Sequence, residues 1–481
     1  MKPIIPEIAS ILEQSSDMLS FWETLRVKMM GIIADQLGEF LEQLDQALVA
    51  YYKTYYGWKS ERRDQRQFTC FFGPVTYRRH LMYDKNGNAH YPVDEAIGLK
   101  PRKRYSPDVM ILGAELATAP GMTYRLASEA TKRLAGIPIS HTTFQRLVRE
   151  AGEAQAAMDT RKRDQLFEDI TIPEAPSTQH LYCEADGLYV KGKGKSIEIK
   201  HMIAYTGWDH NGSRVSLTDR QTFSTVASGE DFWEKGFAVI RHRWDLTGSH
   251  IATNADAASW ISTERVAEIF SEAASITHQL DRFHVKRSIR RGLSRQPKLI
   301  PLLEEAITQQ NQDRFKAAID TALGNAETEG EEKRIEDMRK YLEGHWDLLR
   351  DWREVSPNKP ENARGMGCME SNQRRLAYRM KRRGMYWSEA GAEAVAKVQQ
   401  GIANGTMREA VLTVWPNRPV TQKLRRQAKK ASKRDAMGIH HGRIEVGAAS
   451  SSSVIRQLNK VINRLSSSSH KRCVKMHFAL H

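Results

Sequence analysis

The segment "HLYCEADGLYVKG", residues 180–192, decides the fold of the central part of the chain. Apolar and polar side chains alternate along it, which predicts a β-strand. Glu184 and Asp186 are two residues apart, so their carboxyl groups lie on the same face of that strand. An acid beside an apolar run is usually a solvent-facing residue at a strand end. Asp186 therefore indicates a site only if a second acid lies near it.

More strands follow this segment. "KSIEIKHMIAYTGWD" (195–209) and "HIATNADAASWI" (250–261) read as strands, and a helix is predicted around 263–273 before the alternating run 276–280. This alternation of strand and helix predicts an α/β domain.

Two further acids are candidates for the same site. Asp256 comes at the end of the strand in 250–261, where its alternative role is a helix N-cap. Glu370 begins a helical segment, and its alternative is an ion pair with Arg374, worth tenths of a kcal/mol. Together with Asp186 they form the oxygen-ligand set that two Mg²⁺ ions need for phosphodiester chemistry, with Mn²⁺ as an acceptable substitute.

Asp281 and His284 stand at the junction of a strand and a basic helix, in "ITHQLDRFHVKRSIRR" (276–291). A strand ending at Leu280 would put Asp281 at the N-cap and His284 in the first helical turn. The pair is too small for a closed zinc site. A purely structural cap and a role beside the catalytic centre both remain open.

Seven regions are predicted along the chain. They are an N-terminal helical region for oligomerisation or DNA binding (1–65), a small β-hairpin region that carries Arg78, Arg79 and His80 (66–105), a helical, helix-turn-helix-like DNA-binding domain (106–175), the first part of a catalytic domain (176–290), a helical insertion (291–360), the last part of the catalytic domain (361–415) and a basic C-terminal tail (416–481).

The charge favours a polyanionic partner, because 73 Lys+Arg stand against 58 Asp+Glu and the formal net charge is +15. A second helix after Gly136, which Ser140 could cap, carries a polar mixture suited to a DNA major groove, although a plain helical hairpin fits equally well. The predicted DNA-binding residues are Ser140, His141, Thr142, Thr143, Gln145 and Arg146 on that helix, Arg374, Arg375, Lys381, Arg382 and Arg383 near the third acid, and Lys423, Arg425, Arg426, Lys429 and Lys430 in the tail.

The cysteines and the hydrophobic segments indicate the compartment of the protein. The four cysteines are far apart without a CxxC pair, which fits a reducing interior, and no apolar window is long enough to span a membrane. A cytoplasmic, nucleoid-associated location in a bacterium is expected.

Four motifs resemble those of ISLre-type bacterial insertion-sequence transposases, which are related to the Mutator-like group. They are "YCEADGLYVKG", "NADAASWI", "QLDRFHVKR" and "GMGCMESNQRRLAYRMKRRGMYWSEAGA", in that order and with a helical block before the last. The segment "FFGPVTYRRHLMYDKNGNAHYPVDEAIGL" is also similar to that family's N-terminal region, so the resemblance runs from about residue 66 to about residue 400.

The resemblance implies a ribonuclease H-like catalytic domain with an Asp, Asp, Glu triad at Asp186, Asp256 and Glu370. The family also has a motif in which Cys or Asp is followed by two variable residues and then His. The resemblance implies that Asp281 and His284 form this motif, which favours a catalytic role for His284. The expected function is a Mg²⁺-dependent transposase that binds terminal inverted repeats in double-stranded DNA, cuts their ends and joins them to target DNA. A homodimer or larger synaptic assembly is implied, because two ends must be handled together.

Two alternatives remain. One is a DNA-binding protein derived from a transposase that no longer uses the acids. The other is a metal-dependent nuclease that cuts without strand transfer. The sequence does not separate cutting from joining, because both use the same ions.

The tail gives a first prediction. Residues 421–481 contain fourteen Lys+Arg and two acidic residues. Deleting them should weaken binding to all duplex sequences alike, and each lost phosphate contact should reduce the slope of log K against log salt by about 0.9. Fluorescence anisotropy of labelled duplexes over a salt series measures this slope. An unchanged slope would contradict a role for the tail as a DNA-binding arm.

Overall fold

The computed structural model describes residues 4–356, 358–381 and 384–415. The predicted DNA-binding residues Arg382, Arg383, Lys423, Arg425, Arg426, Lys429 and Lys430 lie outside these ranges. The chain is mixed α/β, as the sequence predicts, and divides into two units. Unit 1 contains residues 4–113, 124–145 and 411–415, and unit 2 contains residues 114–123 and 146–410 among the described residues.

Unit 1 is built on a long helix and a hairpin. Its elements are α1 (Ile4–Gln14), α2 (Met18–Tyr56), β1 (Lys59–Cys70), β2 (Gly73–Tyr83), β3 (Ala89–His90), α3 (Pro92–Ile97), the start of α4 (Pro107–Thr118) and α5 (Tyr124–Ala135). The change from helix to strand therefore comes before residue 66. A capping box between Asp17 and Ser20 starts α2, and Gly57, with φ +66°, ends it.

The hairpin of unit 1 keeps two of its basic residues in ion pairs. Arg79 pairs with the buried Asp94, and His80 Nδ1 contacts Asp45 Oδ2 on α2. These pairs fix the hairpin against its neighbouring helices. Arg78 remains exposed on β2.

Unit 2 contains the main sheet, whose five strands run in the order β10-β9-β4-β5-β8. Strand β5 is antiparallel to both of its neighbours, β4 and β8, whereas β9 and β10 run parallel to β4. A separate hairpin, β6-β7, follows β5. The strand bounds are β4 His180–Lys191, β5 Ser196–Tyr205, β6 Gly207–Asn211, β7 Arg214–Thr218, β8 Gln221–Thr225, β9 His250–Ala255 and β10 Ser275–Leu280.

Helices cover both faces of this sheet. One face packs on α7 and α8 through Phe223, Phe232, Trp233 and Phe270, and the other packs through Tyr182, Tyr205, Trp352 and Met369. The helices from this part of the chain onward are α6 (His141–Phe167), α7 (Gly229–Arg241), α8 (Thr263–Ile269), α9 (Arg282–Gly292), α10 (Ile300–Thr308), α11 (Gln312–Gly324), α12 (Glu329–Glu343), α13 (Trp352–Val355), α14 (Met369–Met380), α15 (Glu389–Ala403) and α16 (Met407–Val414).

The segment between α9 and α14 has a core of its own. Its described residues contain helices without strands, as the charge-rich pattern of 291–360 predicts. Leu303, Phe315, Ile335 and Leu342 are buried together with Ile289 of α9. Within the described residues, no helix has both the length and the apolar character needed to cross a membrane.

A buried carboxyl group holds the centre of unit 2 together. Glu184 on β4 is fully buried and accepts hydrogen bonds from Tyr205 Oη (2.8 Å) on β5 and Asn254 Nδ2 (3.1 Å) on β9. It also accepts from the backbone N–H groups of residues 367–369 at 3.1–3.3 Å and from Cys368 Sγ at 3.0 Å. Glu184 therefore fixes the start of α14 to three strands of the sheet.

Replacing Glu184 with Ala should destabilise the protein by more than about 3 kcal/mol, because several buried donors would lose their acceptor. Glu153→Ala is the matched control: Glu153 is exposed on α6 and pairs with Arg149 in the same helix. Its loss should change stability by less than about 0.5 kcal/mol. Urea unfolding followed by tryptophan fluorescence compares the two variants. Equal unfolding midpoints would show that Glu184 does not hold the sheet and α14 together.

Candidate metal centre

The register of three strands places three acids at one edge of the main sheet. Ala185 of β4 pairs with Ala255 of β9, and Ala255 pairs with Leu280 of β10. These three strands are parallel, and Asp256 and Asp281 directly follow the ends of β9 and β10. Asp186 lies inside β4, just after the last β4 residue that pairs with β9, and β4 continues to Lys191 beside β5. This edge is where ligands commonly bind in α/β sheets.

Asp186, Asp256 and His284 converge into one cluster. Each offers a ligand atom, and these atoms all lie within 4.8 Å of one another. All three side chains are half-buried. Two carboxylates and one imidazole grouped in this way can hold a divalent cation, because each can supply a lone pair.

Neighbouring donors orient both carboxylates of the cluster. Asp186 Oδ1 accepts from the backbone N–H of Gly187 (2.7 Å), and Asp186 Oδ2 accepts from Gln373 Nε2 on α14 (3.0 Å). Asp256 Oδ1 accepts from the backbone N–H of Ala258 (3.2 Å). Such outer contacts hold ligand groups in place for a metal.

The electrostatics of the cluster disfavour two charged acids in the absence of a cation. Burial raises the pKa of Asp186 to about 6, and the charge of Asp256 adds to the rise, while His284 and the Gly187 N–H oppose it. Burial also raises the pKa of Asp256, and Glu198 and Asp281 contribute to that rise. A bound cation would remove this cost.

Asp281 is the N-cap of α9, as the sequence predicts. Its Oδ1 accepts from the backbone N–H of Phe283 (2.7 Å), and its Oδ2 accepts from Asn254 Nδ2 (3.2 Å). Asp281 Oδ1 lies 3.9 Å from His284 Nδ1, which is too long for a hydrogen bond. His284 is in the first turn of α9, as predicted, and its buried Nδ1 has no hydrogen-bond partner among the described residues.

Glu370 is not among the clustered ligands. It lies in the first turn of α14, its side chain is 62% exposed, and Oε1 is 3.9 Å from an Arg374 guanidinium nitrogen. The i,i+4 pair that the sequence allows is thus present. The proposed role of Glu370 as the third acid stays a prediction.

Sequence reasoning missed two polar residues at this edge. Gln373 could have been found, because it lies three residues after Glu370 and so shares its helical face. Glu198 on β5 accepts from Trp260 Nε1 (3.1 Å) and Tyr189 Oη (3.0 Å). Its Oε1 would lie 2.6 Å from a Cβ at position 187, so Gly187 leaves the space that Glu198 occupies.

The predicted DNA-contacting residues that the structure describes are mainly on the surface. Ser140 Oγ accepts from Thr143 N (3.2 Å) at the start of α6, as predicted for a cap. Thr143 and Lys381 are half-buried, whereas Ser140, His141, Thr142, Gln145, Arg146, Arg374 and Arg375 are exposed. Their exposure is compatible with DNA contact and does not test it.

Known proteins are similar to this sequence over most of its length. The model of the family described as "Uncharacterised protein family (UPF0236)" matches residues 18–416. A "UPF0236 protein in vanSb 3'region" from Streptococcus gallolyticus is 28% identical over 429 residues, which cover 89% of this chain and 92% of that protein.

Two relatives come from Caldanaerobacter subterraneus subsp. tengcongensis. One is 23% identical over 382 residues, covering 78% of this chain and 76% of the relative, and its name joins four locus labels. The other is 23% identical over 416 residues, covering 83% of each chain, and its name joins eleven locus labels. Because the family model spans most of the sequence, the chain belongs to the UPF0236 family.

Proposed function

We propose that this protein is a DDE-type DNA transposase that binds the terminal inverted repeats of its insertion sequence and carries out metal-dependent strand cleavage and strand transfer. The observation that carries the proposal is the convergence of Asp186, inside β4, and Asp256, which follows the adjacent parallel strand β9, with His284 in one cluster. Such a cluster is suited to a cation that binds a phosphate group.

The topology of the main sheet supports a ribonuclease H-like catalytic domain. Its first three strands, β4, β5 and β8, are antiparallel, and the last two, β9 and β10, run parallel to the first. This is the strand arrangement expected of that fold. The separate helical core between α9 and α14 corresponds to the insertion that the resemblance implies before the third acid.

The names of the relatives give independent support. Those of the two Caldanaerobacter proteins join four and eleven locus labels. A protein that is encoded at several loci of one genome is what a transposing element produces.

The proposed chemistry uses charge and position at the sheet edge. Asp186 and Asp256 would bind the cations, and the Gly187 and Ala258 N–H groups hold their carboxylates in orientation. Two Mg²⁺ ions, or Mn²⁺ in their place, would activate the attacking oxygen and stabilise the leaving oxygen. Glu370 would add a third carboxylate from α14. The exposed Arg374 and Arg375 would bind DNA phosphates beside it.

Asp186→Asn, Asp256→Asn and Glu370→Gln should each abolish cleavage of element-end DNA, because each removes a metal-binding charge with little change in volume. DNA binding should stay within about threefold of the wild type, since the predicted phosphate contacts are made by other residues, which all three variants keep. Nicking and band-shift assays on the same labelled ends measure both properties, with Glu153→Gln as the exposed control.

Each outcome of these assays favours or excludes one of the candidate functions or residue roles. Normal cleavage by a triad variant would remove that residue from the triad. Cleavage without joined products would favour a nuclease, and specific binding without cleavage by the wild type would favour a DNA-binding protein derived from a transposase.

The raised pKa of Asp186 gives a prediction for the metal-free protein. The folded state favours protonated Asp186, so its stabilising contribution is present below pH 3.8 and is lost as the pH rises through about 6. Asp186→Asn should therefore raise the thermal midpoint in EDTA above pH 6, and the gain should shrink towards pH 4. Adding Mn²⁺ should stabilise the wild type and leave Asp186→Asn nearly unchanged.

Thermal unfolding between pH 4 and 8 measures these differences, and the exposed Asp209→Asn controls for the loss of one negative charge. A lower midpoint of Asp186→Asn in EDTA at pH 8 would contradict the prediction.

A further inference from the structure

The buried imidazole nitrogen of His284 stands out among the polar atoms at the sheet edge. His284 Nδ1 is shielded from solvent and has no hydrogen-bond partner within residues 4–356, 358–381 and 384–415. An unpaired buried polar atom costs free energy unless something binds it. The ligand atoms of Asp186 and Asp256 lie within 4.8 Å of a ring nitrogen of the same residue.

Asp281, the nearest alternative partner of His284, is occupied by other groups. Its Oδ1 accepts from Phe283 N and its Oδ2 from Asn254 Nδ2, so both oxygens are used in holding α9 and the sheet edge. The 3.9 Å separation leaves His284 Nδ1 without a hydrogen bond to it. Asp281 is therefore engaged as the helix cap, and His284 is not hydrogen-bonded to it.

We infer that His284 is a direct metal ligand and that Asp186, Asp256 and His284 form a preassembled site selective for a first-row transition ion such as Mn²⁺ over Mg²⁺. Mg²⁺ prefers oxygen ligands throughout, whereas transition ions accept imidazole readily. This inference rests on the proposed function, which says what the bound cation is used for. It changes the expected cation from Mg²⁺ to a transition ion such as Mn²⁺.

The hydrogen bonds around the cluster also suit this role. Gly187 N and Gln373 Nε2 each hold one oxygen of Asp186, and Ala258 N holds one oxygen of Asp256. A carboxylate oxygen carries more than one lone pair, so these contacts orient the groups and leave lone pairs for an ion.

The test is cation binding by the full chain in the absence of DNA. Mn²⁺ binding is followed by the loss of the free-ion EPR signal, and Mg²⁺ is titrated as a competitor. His284→Ala should weaken Mn²⁺ binding at least about tenfold, because loss of outer contacts alone costs about 10–100-fold. Mg²⁺ binding should change by less than about threefold.

A carboxylate at the same position provides a matched variant. An Asp oxygen reaches about as far from the backbone as His Nδ1, so His284→Asp should keep a third ligand and lower the preference for Mn²⁺ over Mg²⁺. Asp281→Asn retains an N-cap and should leave Mn²⁺ affinity unchanged. His210→Ala, an exposed histidine in β6, controls for general loss of imidazole.

The outcomes separate the inference from the transposase proposal. Wild-type Mn²⁺ affinity in a folded His284→Ala protein would overturn the inference, as would an unchanged metal preference in His284→Asp. Loss of Mn²⁺ binding in Asp281→Asn would assign the third ligand to Asp281 and would also overturn it. A His284-dependent Mn²⁺ site in a protein that neither cuts nor joins DNA would uphold the metal inference and contradict the transposase function.

Discussion

The fully buried carboxyl group of Glu184 is the constraint on which the rest of unit 2 depends. A carboxyl group in a protein interior is costly unless donors surround it, and here they come from β5, β9 and the first residues of α14. The N-terminal end of a helix suits such a group, because its backbone N–H groups have no partners within the helix. Removing water from Glu184 therefore requires the sheet and α14 to meet in one register, and that register brings Gln373 to Asp186.

A chain of amides extends this constraint across the sheet to the edge. Asn254 donates to Glu184 and to Asp281, and accepts from Gln279 Nε2 at 2.9 Å. Gln279 in turn accepts from the backbone N–H of Trp352 at 2.8 Å. Fully paired buried networks of this kind favour one arrangement over its alternatives. At the edge of the sheet, Asp281 is therefore engaged in structural hydrogen bonds, whereas Asp186 and Asp256 keep lone pairs for a ligand.

Local sequence pattern predicted those features that depend on local geometry. The end of β10 at Leu280 and the cap at Asp281 follow from strand periodicity and N-cap preference, and the meeting of Asp186 with Asp256 follows from adjacent parallel strands. The importance of Glu184 was not predictable in this way, because its six donors come from three parts of the chain that are distant in sequence. Glu198 was missed for the same reason: its position depends on the register of β4 with β5 and on the missing side chain of Gly187.

The ion pair between Glu370 and Arg374 costs little free energy to break. It is an exposed i,i+4 pair at 3.9 Å, and pairs of this kind contribute only about 0.3–0.5 kcal/mol. A DNA phosphate competes directly for Arg374, because a charge-assisted contact to phosphate is stronger than a solvated ion pair. Under the proposed function, DNA binding would therefore free the carboxylate of Glu370 as it delivers the scissile phosphate. Under the same proposal, the fold brings Asp186, Asp256 and His284 together, whereas Glu370 would join them only when the substrate arrives.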